Sequence, residues 1–354
     1  MIHNILITGA AGYIGGSVLA DFISRINGPI KGANIFAVVR SEEQVQSLSK
    51  LGVRTIQVDL TNERAVTEAV ASNKIDVVVH TASAVDSRAV SGLIKGLGQS
   101  HKWSGQDTHF IHSSVATIYS EKGGWPYGEV RDTDPLLEKE KELGGAHPVR
   151  KVDILVAELS KKEGVTSYNI PVPQVYGRGT GEWRKLSVNV PANVRASIKH
   201  KAVHKFDEDG SPPSVHISDL ANFYTLLTEK ILQKEPVPNG EKGYYFVIAH
   251  KTHWWRVMQR LAEALHARGL VAEPEVDVWP SDDVAAEYLE FPRPFVRAMG
   301  TSSGEFVPVN AYELGWRPKW DEKRFMESLD DEIQAVLELD TVKPSVFATL
   351  LPNQ

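Results

Sequence analysis

The 354 residues contain no cysteine. Disulfide staples, thiolate catalysis and cysteine-ligated metal sites are therefore excluded. There is no basic run, and the formal net charge is −6, so neither nucleic acid nor an anionic membrane surface is an expected partner. No apolar stretch comes near the ~18 residues that a membrane span needs. The first apolar run is short and leads straight into glycines, unlike a secretion signal, so a cytoplasmic protein is the expectation. Internal repeats, low-complexity tracts and an obvious linker are also missing. What is present, 42% hydrophobic and 24% charged residues, is ordinary for a globular chain with one large domain and a smaller lobe, or with two domains.

The chain opens with an apolar run at residues 5–7, then Thr8, then glycines at positions 9, 12 and 15. A strand that breaks into glycines and resumes as a helix makes a cradle for a dinucleotide pyrophosphate. Gly9 permits the tight turn, Gly12 lets backbone N–H groups approach the phosphates, and Gly15 lets the helix pack close to the strand. The helix N-terminus adds positive partial charge. Tyr13 and Ile14 lie inside the same loop and are counted with the cofactor site.

Short β-rich runs at 5–7, 35–39, 55–58, 77–80, 110–113 and 168–172 alternate with helical patterns at 16–26, 42–51 and 62–72. That alternation predicts an α/β fold: a Rossmann-like doubly wound parallel sheet with helices on both faces. The second half is richer in Pro and Trp, with helical patterns at 220–232, 255–266 and 323–339. The predicted division assigns 1–177 and 214–250 to the dinucleotide-binding domain. It assigns 178–213 and 251–354 to a smaller C-terminal substrate-binding lobe over the carboxyl ends of the strands.

The second strand ends on Arg40, where an NAD site usually places an acid beside the adenosine ribose. An arginine cannot accept from the ribose hydroxyls, but it pairs well with a 2′-phosphate. The expected cofactor is therefore NADP(H). Asp59 and Leu60, closing the third strand, are candidates to meet the adenine; Asp59 reads equally well as a helix cap.

With these residues the chain resembles the extended short-chain dehydrogenase/reductases, also called the NAD-dependent epimerase/dehydratase family. The resemblance rests on Thr8-Gly9-x-x-Gly12-x-x-Gly15, on Val58-Asp59-Leu60, on His80-Thr81-Ala82-Ser83 and on Phe110-Ile111-His112-Ser113-Ser114. It continues with Pro173-Gln174-Val175-Tyr176-Gly177-Arg178-Gly179, Val215-His216-Ile217-Ser218-Asp219-Leu220 and Leu314-Gly315-Trp316-Arg317-Pro318. It implies that Thr81, Ala82 and Ser83 border the cofactor phosphates and nicotinamide ribose. It likewise places Pro173 and Val175 beside the nicotinamide, and suggests a homodimer.

The family's chemistry normally rests on a Ser or Thr, a Tyr and, four residues on, a Lys that holds the ribose and lowers the Tyr pKa. No Tyr precedes a Lys by four residues anywhere in this chain. Lys151 matches the family's lysine, His147 stands in the place of the tyrosine, and Val115 in that of the serine. Ser114 and Thr117 are the preferred hydroxyls for a substrate oxygen, with Ser113 excluded from sharing the role with Ser114 by strand alternation. Tyr119, Tyr127 and Tyr176 are candidate displaced phenols, each with a structural alternative. A neighbouring lysine and burial would hold His147 neutral, a hydrogen-bond donor and a feeble acid.

Nucleotide-sugar members usually carry an arginine seven residues before the aspartate that matches Asp219. Here that position is Pro212, which argues against a sugar nucleotide unless Arg178 or Arg195 substitutes. The aromatic content of the second half (Trp183, Trp254, Trp255, Trp279, Tyr288, Phe291, Phe295) fits an apolar substrate. His250 and His253 lack a third ligand, so no metal is expected. Glu138 to Glu142 reads as a solvated helix face, and Asp282-Asp283 as a pair without partners. The expected function is an NADP(H)-dependent oxidoreductase acting on a carbonyl or similar unsaturated group of an apolar small molecule. Two alternatives stay open: a redox-neutral epimerase or isomerase with a rebuilt site, and a redox-silent NADP(H)-binding sensor.

Overall fold

The computed structural model describes residues 2–145 and 147–339. Positions 340–354, which end the predicted second lobe, lie outside the described residues. Six parallel strands form the main sheet: β1 (Asn4–Thr8), β2 (Asn34–Val39), β3 (Arg54–Gln57), β4 (Val77–His80), β5 (His109–Val115) and, after the two-residue β6 (Val130–Arg131), β7 (Thr166–Val172). Their order is β3-β2-β1-β4-β5-β7. The chain reverses direction across the sheet between β1 and β4, the switch point where open α/β sheets bind ligands. Val77, Val78 and Val79 are fully buried because helices cover both faces.

Helices α1 (Tyr13–Ile23), α2 (Glu42–Ser49), α3 (Glu63–Ser72), α4 (Ser87–Ser104), α5 (Leu136–Leu143) and α6 (Pro148–Glu163) punctuate these strands. Two glycines on α4 give it a close approach to α3: a Cβ at Gly96 would lie 2.5 Å from Val70 Cβ. The predicted strands and helices of this half all appear, with ends shifted by a few residues. Asn62 is the N-cap of α3, its side chain accepting from Ala65 N, which pushes the predicted start on by one residue.

Pro173 ends the main sheet. It has no N–H to give a neighbouring strand, and beyond it β8 (Gln174–Tyr176) leaves to pair with β10 (Pro213–His216), itself joined by β11 (His250–Lys251). Between them lie α7 (Asn189–His200) and β9 (Val203–Lys205), with α8 (Ile217–Leu232) following β10 back onto the main sheet. The remaining elements are α9 (Trp254–Ala267), β12 (Val276–Val278), α10 (Asp282–Leu289), α11 (Val296–Thr301), β13 (Phe306–Val307), α12 (Asn310–Glu313), α13 (Glu322–Glu327) and α14 (Leu329–Leu339). The helix predicted over 323–339 is two helices, because Ser328 caps α13 and its hydroxyl bonds back to Phe325 O at 2.9 Å.

Tyr176, Val190, Trp254, Leu261, Phe325 and Ile333 belong to a core distinct from that of the sheet. Trp279, Leu289 and Phe291 belong to another. Asp282 and Asp283 are paired after all: Arg297 donates to Asp282 at 2.7 Å and Arg293 to Asp283 at 2.7 Å. No helix among the described residues is long and apolar enough to cross a membrane.

Candidate functional site

A cavity of about 520 Å³ opens over the carboxyl ends of β1, β2 and β4. Gly9, Gly12, Tyr13, Ile14, Gly15, Arg40, Leu60, Thr81 and Ala82 line it. Gly9 turns with φ +71°, a conformation that side chains disfavour. Gly12 is the N-cap of α1 and offers no side chain to the first-turn N–H groups, which leaves them for an anion. A Cβ on Gly15 would stand 2.3 Å from Thr81 Oγ1 and 2.4 Å from Gly9 O. Backbone approach without side chains, a free helix N-terminus and an arginine at the end of β2 are what a dinucleotide phosphate requires, so the residues present fit such a cofactor.

Other predicted positions are engaged elsewhere. Thr8 is fully buried, with its hydroxyl 2.7 Å from His80 Nδ1. Burial pushes His80 down to about 3, with nearby His112 adding to the effect, so both partners are neutral at pH 7. Ser83 accepts His80 Nε2 on its carbonyl and Val85 N on its hydroxyl. Asp59 is neither on the cavity wall nor the cap of α3; its exposed carboxylate accepts from Thr61 N and Oγ1, both at 2.9 Å. Those bonds, the backbone one first, hold its pKa below the ordinary value. Pro173 is buried at the sheet-ending corner, and Val175 packs on the sheet core.

The catalytic candidates separate. Ser114 is not available to a substrate: it is 2% exposed and donates to buried Asp153 Oδ2 at 2.6 Å, on the side of β5 that faces α6. Strand alternation turns Ser113 the other way, 2.5 Å from Tyr224 Oη. Thr117, in the short turn after β5, is half-buried, and its hydroxyl has no partner among the described residues. His147 is the N-cap of α6, with Pro148 in the first turn, where its missing N–H costs nothing. His147 Nδ1 is buried and unpartnered among the described residues. Burial and the Arg150 charge lower the His147 pKa, so the ring is neutral at pH 7.

One turn on, Arg150 donates to Ile118 O at 2.7 Å and Gly123 O at 2.9 Å. That bond ties the start of α6 to the Thr117 turn. Lys151 stands exposed on α6 without an ion pair among the described residues. The phenols are all committed: Tyr119 to Glu140, Tyr176 to His250 Nε2 at 2.8 Å and Tyr127 to Glu142 at 2.9 Å. Glu140 also corrects the reading of its segment as a solvated face. It is fully buried under Tyr119 and Tyr244, and burial raises its pKa.

The sequence reading named Trp183 and Arg195 but did not place them on the opposite wall of the cavity, formed by the loop 177–188 and α7, and it missed their neighbours there, Arg184 and Lys185. These residues come from some 140 positions beyond Arg40, and no local pattern announces them. Of the second-half aromatic residues named from the sequence, Trp183 lines the cavity. Trp254, Trp279 and Phe291 fill the cores of the second half, and Tyr288 stacks on His200 at 3.3 Å between ring centroids. Ring content is therefore no argument for an apolar substrate. Arg178 does not replace the missing phosphate clamp, because it pairs with Glu338 at 3.0 Å. Arg195 lies on the dinucleotide-cavity wall.

Residues 5–96 match the NAD dependent epimerase/dehydratase family. The chain is 23% identical over 298 residues to the oxidase ucsJ of Acremonium sp., covering 78% of this chain and 83% of that protein. Among solved structures it is similar to the UDP-glucose 4-epimerase of Thermotoga maritima, with TM-score 0.65 and 17% identity over 94% of this chain and 99% of that one. It is also similar to the UDP-glucose 4-epimerase of Thermus thermophilus solved with NAD, with TM-score 0.61 and 20% identity over 94% of this chain and 99% of that one. At these identities the structures establish a shared fold.

Proposed function

From the match of residues 5–96 to the NAD dependent epimerase/dehydratase family, we propose an NADP(H)-dependent oxidoreductase that interconverts a carbonyl and an alcohol on a small apolar molecule. The observation that carries the reading is Arg40 on the wall of the glycine-loop cavity, where its guanidinium meets no carboxylate among the described residues. A bidentate guanidinium favours a phosphate monoester over a ribose hydroxyl by roughly 1.5–3 kcal/mol. Kinship with an oxidase that aligns over most of both chains supports redox chemistry over epimerisation.

The glycine loop and Arg40 would hold the dinucleotide. When bound, the nicotinamide supplies or accepts the hydride. The Thr117 hydroxyl, free among the described residues, binds the substrate oxygen, and the neutral His147 ring lies one turn from the Arg150 that anchors the Thr117 segment. Since His147 is held below its ordinary pKa, it gives a hydrogen bond from a ring N–H, and the proton taken up by the product oxygen comes from water through these groups. The lost diphosphate clamp supports a small substrate that carries no nucleotide diphosphate. Pro212 is buried and its carbonyl accepts from Thr252 N at 3.1 Å, so this position offers no guanidinium to a diphosphate.

The test is NADPH consumption over a panel of aldehydes and ketones, with NADPH and NADH affinities read from nicotinamide fluorescence. Tighter NADPH binding and turnover of at least one apolar carbonyl are expected. NADPH binding without turnover on any compound would favour the redox-silent sensor, and equal or tighter NADH binding would remove the Arg40 argument. In the active assay, His147→Phe is expected to lower kcat roughly 100-fold with little change in NADPH affinity. Because the ring is already neutral, wild-type kcat should not fall between pH 7 and 8 as it would if an imidazolium were the acid.

A further inference from the structure

We propose that Arg184, carried by the 177–188 loop, is the second arm of a 2′-phosphate site and faces Arg40 across the cavity, so that this loop takes part in choosing between NADPH and NADH. The inference rests on the NADP(H) reading and adds to it a residue from a distant segment.

Arg40 and Arg184 both line the cavity that holds the glycine loop. They are close enough that, after burial, the Arg40 charge is what lowers the Arg184 pKa. Two like charges brought together cost free energy unless an anion lies between them. Among the described residues neither arginine has a carboxylate partner, and Glu182, the acid on the same wall, is exposed and pairs with neither. The cavity wall therefore carries two cations, neither in an ion pair among the described residues, the charge pattern that a phosphate dianion completes.

Their position favours the ribose phosphate over the pyrophosphate. Arg40 leaves the end of β2, one strand away from the glycine turn that follows β1. Its backbone is held there, the N–H donating to Gln44 Oε1 at 2.9 Å and the carbonyl accepting from Gln57 Nε2 at 3.3 Å. The side chain stays free to point into the cavity.

Arg184 is held as firmly. Its loop is fixed to α1 by Tyr13 Oη donating to Gly177 O at 2.6 Å and by Thr180 N donating to Ser17 Oγ at 3.3 Å. Gly179 N donates to Lys185 O at 2.8 Å, which closes the loop on itself. Glu332 of α14, buried and pushed up to about 7 by that burial, accepts Gly177 N–H. A loop pinned at this many points presents its arginine without an ordering cost at binding.

The experiment compares wild type, Arg184→Gln and Arg184→Lys by fluorescence titration with NADPH and NADH. A competition arm uses 2′,5′-ADP, which carries the 2′-phosphate without the nicotinamide half. Arg184→Gln is expected to weaken NADPH and 2′,5′-ADP at least about tenfold while NADH affinity stays within about twofold, which also shows that the variant is folded. Arg184→Lys should recover part of the loss. If wild type prefers NADPH and Arg184→Gln leaves that preference intact, the loop has no part in selection and the proposal fails while the NADP(H) reading stands. An equal loss of NADH would place Arg184 on the pyrophosphate and overturn the proposal. A wild type that does not prefer NADPH would overturn both.

Discussion

Replacing Gly15 by alanine is expected to abolish measurable NADPH binding, a loss of at least about 100-fold, and to destabilise the protein by about 2–3 kcal/mol. A Cβ there would lie 2.3 Å from Thr81 Oγ1, 2.4 Å from Gly9 O and 2.7 Å from Gly9 C. None of these atoms can yield cheaply. Thr81 Oγ1 donates to Thr8 O at 2.7 Å, and Gly9 O accepts Gly12 N–H at 2.7 Å. The added methyl must push α1 away from the ends of β1 and β4, and that displaces the backbone N–H groups meant for the phosphates. Gly32→Ala is the control, since nothing lies within 4 Å of a Cβ there. Fluorescence titration and thermal melting of the two variants decide the matter. NADPH affinity within about threefold of wild type in Gly15→Ala would show that the cradle is not where the cofactor binds.

Arg150→Met is the second large effect, expected to cost about 3 kcal/mol at pH 7. The Arg150 side chain is 5% exposed, and one of its terminal nitrogens serves the carbonyls of Ile118, Gly123 and Gly124. Methionine fills much of the volume and leaves these carbonyls without their donor. Asp153 and Glu140 add a pH dependence. Burial, the largest cause, raises both carboxyl groups, and the Arg150 charge opposes that rise. Without the cation the folded state holds those protons more tightly, while the unfolded state is unchanged. An acid whose folded pKa is raised loses stability as pH climbs above its unfolded value, so the deficit of Arg150→Met should widen between pH 5 and pH 8. Urea denaturation at the two pH values measures it. Arg150→Lys should recover little, because one compact ammonium replaces a planar fork. A deficit under about 1 kcal/mol at pH 8 would mean that water replaces the guanidinium at these carbonyls.

The same residues mark how far the sequence could be read. Strand-and-glycine periodicity is a local property, and it was enough for the parallel sheet, the turn at Gly9 and the arginine after β2. It also identified what is missing from the family's catalytic pattern, because an absent Tyr-x-x-x-Lys needs no structure to be seen. Side-chain partners across long separations were not legible. Ser114 looked like a catalytic hydroxyl until the packing of α6 on β5 set its side chain against Asp153. Glu140 looked solvated because its neighbours are charged, and its burial under Tyr244 depends on a segment 104 residues away.

The sequence alone determined the parallel sheet and the glycine turn at the carboxyl end of its first strand, because turn chemistry and hydrophobic alternation act within a dozen residues. Tertiary structure decided which hydroxyls remain free and that the 177–188 loop closes the cavity with a second arginine. Those outcomes depend on packing between segments whose meeting no local pattern encodes.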